Sequence, residues 1–202
     1  MLLLLRHGEA VGNAEGLLLG RSESSLTDRG RLQVDRLRSL VAAKGPVGRV
    51  VSSPLERARC TAEVLDLDVP IEIDERWTEI DYGRFDGERL SEMPSEVWRA
   101  WRKDPGYRPA GGETLLELGA RVRVACEELF SDDGRGARAG QHVVVVSHVS
   151  PIKAAVGWAL GVDECAAWRM WLATASMSVI GWGAGTPVLR CYNVVPQEGR
   201  AD

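Results

Sequence analysis

The stretch Val143-Val144-Val145-Val146-Ser147-His148-Val149-Ser150-Pro151-Ile152-Lys153 reads as a strand that ends in polar residues and passes straight into a helix. Four consecutive valines bounded by turn-forming residues suit a strand buried on both faces, as in a parallel sheet. Ser150-Pro151 supplies a helix start, with Ile152, Ala155, Val156 and Ala159 on one face. The same pattern occurs twice more. Leu2 to Leu5 leads into Arg6-His7-Gly8, and Val50-Val51 leads into Ser52-Ser53-Pro54. There Ser53 is the expected N-cap, with Leu55, Ala58, Ala62 and Leu65 on the inner face. Thr27 is the expected cap of a helix ending near Gly45-Pro46, with Leu37, Leu40 and Val41 inward. Leu115, Leu118, Val122, Ala125 and Leu129 form one more helical stripe. Strands alternating with helices predict an α/β fold, a three-layer α/β/α sandwich around a mostly parallel central sheet.

Residues 77–112 break the alternation. They are rich in charge, glycine and tryptophan and contain Pro94, Pro105 and Pro109. They predict an irregular cap-like insertion, with one short helix from Met93 to Arg102, inside a single domain spanning 1–202. Ser131 to Gly140 reads as a polar surface loop, and the tail after Pro196 as frayed.

Composition narrows the function. The chain has 202 residues, 45% apolar and 27% charged, with 25 basic and 29 acidic residues. That is ordinary globular usage with no basic excess for nucleic-acid binding. Cys60, Cys126, Cys165 and Cys191 stand at least 26 positions apart, so they form no Cys-x-x-Cys metal or redox pair. Reduced thiols in a cytoplasmic protein are the expectation. The apolar start reaches Arg6-His7 after five residues, too short for a signal peptide, and no run approaches a membrane span. An exposed apolar edge leaves room for a homodimer that nothing in the chain demands.

Ligands of open α/β sheets bind at the carboxyl ends of the strands. Those ends deliver Arg6 and His7, Ser52-Ser53 with Arg57 just beyond, and Ser147-His148. His142, the third histidine, precedes a strand and is expected to be exposed. Two guanidiniums, two imidazoles and the positive ends of helices describe an anion site, and a doubly charged phosphoryl group is the natural ligand. Arginine and backbone amides hold phosphate better than histidine, so two histidines point to chemistry. Neighbouring cations keep an imidazole neutral and nucleophilic, so one of the two is expected to attack phosphorus and form a phosphohistidine. A carboxylic acid at the pocket rim must protonate the leaving oxygen. Glu79 is the best candidate, and Asp81 the nearest rival.

These residues resemble the histidine phosphatase superfamily, the phosphoglycerate-mutase-like clan. The resemblance is carried by Leu5-Arg6-His7-Gly8-Glu9 with Asn13, by Gly20 to Gln33, by Ser52 to Ala62 with Arg57, by Glu79 with Gly83 and Gly87, by Gly111-Gly112-Glu113-Thr114, and by Ser147-His148. It implies that His7 is the nucleophile. Arg6, Arg57 and His148 would clamp the phosphoryl oxygens, and Glu79 would donate and then accept a proton. Asn13, Gly20 and the backbone amide of Val149 would contact the substrate. It also implies no metal and no cofactor. Within the family, the compact insertion and the segment Ser147 to Lys153 look like the branch of α-ribazole phosphatases.

The chain departs from the family pattern at Val149, where glycine is common, at Cys60, where glutamine is frequent, and at Leu19, which replaces a polar residue. The leading reading is a phosphomonoester hydrolase acting on a small phosphorylated metabolite. A cofactor-dependent phosphoglycerate mutase is the alternative. It would need further cations, which Arg84, Arg89, Arg99, Arg102 and Lys103 could supply. A third reading is an inactive module that binds phosphorylated ligands, against which the acid Glu79 argues.

Overall fold

The computed structural model describes residues 1–130 and 140–196. The loop expected around 131–139 and the tail beyond Pro196 lie outside these residues. Six strands are present: β1 (Leu2–Arg6), β2 (Val47–Ser52), β3 (Ile71–Ile73), β4 (His142–Ser147), β5 (Met177–Gly183) and β6 (Thr186–Val194). The α-helices are α1 (Val11–Ala14), α2 (Asp28–Ala42), α3 (Glu56–Leu65), α4 (Ser95–Lys103), α5 (Leu115–Phe130) and α6 (Val149–Leu160).

The sheet order is β3-β2-β4-β1-β5-β6. The first four strands of that order run parallel, β5 pairs antiparallel with β1, and β6 pairs antiparallel with β5. Alternation along the strands sends side chains to two cores. Leu2, Leu4, Val143 and Val145 pack with α5 and α6. Leu3, Leu5, Val144 and Val146 pack with α2 and α3 on the opposite face. The fold is therefore the expected α/β sandwich with a mostly parallel sheet.

Local details differ from the sequence expectation. Thr27 does cap α2, its hydroxyl accepting the Gly30 N–H. Ser53 does not cap α3. That helix starts at Glu56 after an extended Leu55, and the Ser53 hydroxyl instead accepts the Leu55 N–H at 3.3 Å in the turn before it and meets the His148 ring at 2.7 Å. Helix α6 begins at Val149, one residue early, with His148 at the cap position. Pro151 is then its third residue, where a missing N–H costs no helical bond. His142 is not exposed. It opens β4, is buried, and its Nε2 lies 2.6 Å from the Lys44 carbonyl.

Segment 77–112 is irregular, and its helix runs over Ser95–Lys103. Trp101 is its centre, ringed by Tyr82, Phe85, Trp98, Tyr107 and Trp168 with ring centroids 5.5 to 6.5 Å away. The two ends of the segment are tied together. Arg84 N–H donates to the Ala110 carbonyl at 3.0 Å, and Glu113 N–H to the Asp81 carbonyl at 2.8 Å. Gly83 makes this approach possible: it has φ +55, and a Cβ there would sit 2.2 Å from the Ala110 oxygen.

Candidate active site

Strands β1 and β4 pair in parallel with Arg6 opposite Ser147. The residues that follow, His7 and His148, therefore emerge side by side. Their ring centroids are 5.1 Å apart, and the ring planes are inclined at 58°. The His7 N–H also donates to the Ser147 carbonyl at 3.1 Å. Both imidazoles are buried.

The His7 Nδ1 lies 2.7 Å from the Gly8 carbonyl. A carbonyl only accepts, so Nδ1 carries the hydrogen and Nε2 keeps its lone pair. Burial pushes the His7 pKa well below the ordinary imidazole value, and Arg6 and Arg57 push it the same way. His148 is also pushed down, by burial first and then by Arg57, His7 and Arg6. Its Nε2 meets Ser53, and its Nδ1 is buried without a partner.

The two arginines are fixed by backbone carbonyls. Arg6 donates to Leu172 O at 2.6 Å, and burial lowers its pKa to about 10 against the opposing pull of Glu79. Arg57 is fully buried and donates to Gly20 O at 2.6 Å and Ser22 O at 2.8 Å. From the other side, Asp86 accepts the Gly20 N–H at 2.7 Å and the Ser22 N–H at 2.8 Å. Gly20, expected to touch substrate, thus has both backbone groups committed within the protein. It holds Arg57 in place. A Cβ there would crowd Tyr82 and the Ile80 carbonyl at 3.0 and 3.1 Å.

Glu79 is 3% exposed. Its carboxylate accepts the Ile80 N–H at 2.8 Å and the Val149 and Ser150 N–H groups at 3.1 Å. It sits on the N-terminus of α6, where the helix dipole favours an anion. The Val149 amide, expected to face phosphate, is therefore bonded to Glu79.

A second ion pair fixes this loop from behind. Arg121 grips Glu113 with contacts of 2.7 and 2.9 Å, and donates to the carbonyls of Arg76 at 2.6 Å and Glu79 at 3.4 Å. Glu113 in turn accepts the Asp81 N–H at 3.3 Å. Asp81 itself closes a turn, accepting the Gly83 N–H at 2.8 Å, and its other oxygen lies 3.6 Å from Arg21.

Asn13 sits on the short helix α1 just after the β1 loop. Its Oδ1 accepts the Ala10 N–H at 3.1 Å, and the residue lines a cleft of about 790 Å³ together with Arg6 and Glu9. The extra cations weighed from the sequence have other contacts or are exposed. Arg84 lies over Phe85, Arg89 reaches Glu15 O, Arg102 approaches the Trp168 ring, and Arg99 and Lys103 are exposed.

Sequence reasoning passed over Ser53 as a histidine partner, Tyr82, Lys153 and Arg121. Lys153 carried a readable signal: it lies one helical turn beyond Val149 and Ser150. Arg121 carried none, since its partners come from two segments far apart in the chain, the loop of Arg76 and Glu79 and the turn at Glu113. Among the described residues no cluster of three or more His, Cys, Asp or Glu is placed to hold a metal ion. No helix among them is long and apolar enough to cross a membrane.

The chain and its fold are similar to known proteins. The sequence profile of the histidine phosphatase superfamily (branch 1) matches residues 2–195. A bifunctional protein of Mycobacterium tuberculosis is 34% identical over 200 residues, which are 95% of this chain and 53% of that protein. The chain thus spans about half the length of the first curated relatives it matches. Phosphoserine phosphatase 1 of Hydrogenobacter thermophilus is 34% identical over 187 residues, 89% of this chain and 85% of its own. Among solved structures, a mycobacterial glucosyl-3-phosphoglycerate phosphatase complexed with VO3 superposes with TM-score 0.85. It is 25% identical, with 95% of this chain and 98% of that chain covered.

Proposed function

The chain belongs to the histidine phosphatase superfamily, and from that premise we propose that it hydrolyses a small phosphorylated metabolite through a phosphohistidine on His7. The observation that carries this reading is the Nδ1 contact of His7 with Gly8 O at 2.7 Å. It leaves the Nε2 lone pair available beside two buried guanidiniums. Nε2 attacks phosphorus, the bond to the leaving oxygen breaks, and Glu79 gives that oxygen a proton. Water then attacks the phosphohistidine, Glu79 takes a proton from it, and inorganic phosphate leaves. Arg6, Arg57 and His148 hold the non-bridging oxygens and offset the charge that develops on them, which is most of what phosphoryl transfer asks of a protein. Asn13 offers its amide NH2 to the phosphate from the rim.

The hydrolase is favoured over a mutase because the five candidate cations of segment 77–112 are engaged elsewhere or exposed: Arg84 with Phe85, Arg89 with the Glu15 carbonyl, Arg102 with Trp168, and Arg99 and Lys103 with solvent. It is favoured over an inactive binder because Glu79 sets a buried carboxyl within electrostatic reach of Arg6 and Arg57, where the reaction needs a proton donor. We read residues 1–202 as one domain, with segment 77–112 as a cap, and a reducing cytoplasm as its setting.

The test is phosphate release from p-nitrophenyl phosphate and a panel of natural phosphomonoesters, for the unmutated chain and His7→Ala, beside 3-phosphoglycerate isomerisation with and without 2,3-bisphosphoglycerate. Release that falls by about a thousandfold or more in His7→Ala supports the hydrolase. Isomerisation that depends on the bisphosphate and outpaces release overturns it.

A further inference from the structure

We infer that the aromatic-walled cavity beside Glu79 receives the leaving group, and that Lys153 selects leaving groups whose ring or apolar body carries an anionic group. This deepens the hydrolase reading and rests on it.

The cavity measures about 110 Å³ and is walled by Tyr82, Trp101 and Trp168. Its position is the first argument. Val149 and Ser150 line it, and their N–H groups hold the Glu79 carboxylate. Ile80, the residue after Glu79, lines it as well. In the proposed reaction Glu79 protonates the leaving oxygen, so the leaving group extends from the Glu79 side of the phosphorus. The cavity wall on that side is made of Ile80, Val149 and Ser150, whose N–H groups all bond the Glu79 carboxylate.

Its chemistry is the second argument. Ring faces favour flat or apolar groups. Lys153 is the cation of the lining, half-buried on α6. Among the described residues no carboxylate stands within ion-pairing distance of it. Burial lowers its pKa while Glu79 opposes that shift, which places the ammonium within electrostatic reach of the reacting groups. A partly desolvated ammonium without a counter-ion is costly unless a ligand supplies one. The cavity therefore calls for a carboxylate or a second phosphate at the far end of the substrate, and its size suits a small group.

The experiment compares kcat/KM for phenyl phosphate and 4-carboxyphenyl phosphate in the unmutated chain, Lys153→Gln and Lys153→Arg. The unmutated chain should prefer the carboxylate ester. The preference should fall by roughly tenfold to a hundredfold in Lys153→Gln, the worth of one charge-assisted hydrogen bond. Lys153→Arg, which keeps the charge, should restore most of it. Equal kcat/KM for the two esters, or a preference that survives in Lys153→Gln, overturns this proposal and leaves the hydrolase standing. No phosphate release from either ester by the unmutated chain overturns both.

Discussion

His7 shows how one residue's surroundings decide its chemistry. The Gly8 carbonyl assigns the proton to Nδ1, while burial and two guanidiniums disfavour a second proton. The pH dependence follows in sign. The folded pKa values of His7 and His148 lie below their ordinary 6.5. Between those values and 6.5 the unfolded chain binds more protons, so stability is fully present above about pH 6.5 and declines as pH falls through that window. Activity should follow the same direction. The acid limb of kcat/KM, which reports the free enzyme, is expected below pH 6.5 once substrate ionisation is removed. A limb centred at or above 6.5 in a pH-rate profile would contradict the burial argument. Arg6, His7 and His148 were legible in the sequence because they stand at the ends of the apolar strands β1 and β4, which the sheet aligns, and Arg57 because it lies in the first turn of the helix that follows β2. Val149, expected to offer its amide to phosphate, gives it to Glu79, and Gly20, expected to contact substrate, has its N–H and carbonyl held by Asp86 and Arg57. A sequence does not disclose that Asp86 and Glu79, both distant in the chain, occupy those N–H groups.

Among the elements, the loop bearing Glu79 depends most on contacts made elsewhere. It has no regular hydrogen-bonding pattern beyond short turns, and Arg121 on α5 substitutes for one by holding the carbonyls of Arg76 and Glu79. The side chains of Arg121 and Glu113 are only 18% and 11% exposed, so the pair is largely desolvated. Arg121→Met leaves Glu113 only a 3.6 Å ion contact with the half-exposed Arg21 and should cost about 2 kcal/mol of stability in denaturant titration. Because Arg121 acts through Glu79, the same variant should lower kcat by roughly tenfold with a smaller change in KM. Arg121→Lys should recover only part of this, since an ammonium cannot grip in two directions. Loss of stability with kcat intact would reduce Arg121 to a structural role. The alternation of apolar runs and helices was enough to locate β1, β2, β4 and the four long helices. It missed β3, which is three residues long, and the hairpin β5–β6. Trp182 and Gly183 at the end of β5, the partly exposed faces of β6 and Pro187 at its start all depart from a buried-strand pattern.

For the molecule as a whole, the sheet brings three loops to one end and the helices cover its two faces, so the chemistry is gathered where β1, β2 and β4 terminate. Segment 77–112 adds a small aromatic core of its own at that end. The overall architecture was legible because strand and helix signals alternate over most of the chain. The seating of the aromatic segment was not, because it depends on Trp168 and on the Gly83 contact with Ala110, both remote from its helix. The central claim is covalent: a phosphoryl group resides on His7 during turnover. The most direct measurement is mass mapping of protein mixed with phenyl phosphate and quenched in alkaline denaturant, where phosphohistidine survives. One phosphoryl group on the peptide containing His7, absent from His7→Ala and discharged when substrate is exhausted, is the predicted result. Steady phosphate release with no label on His7, or with the label on another residue, would contradict the account.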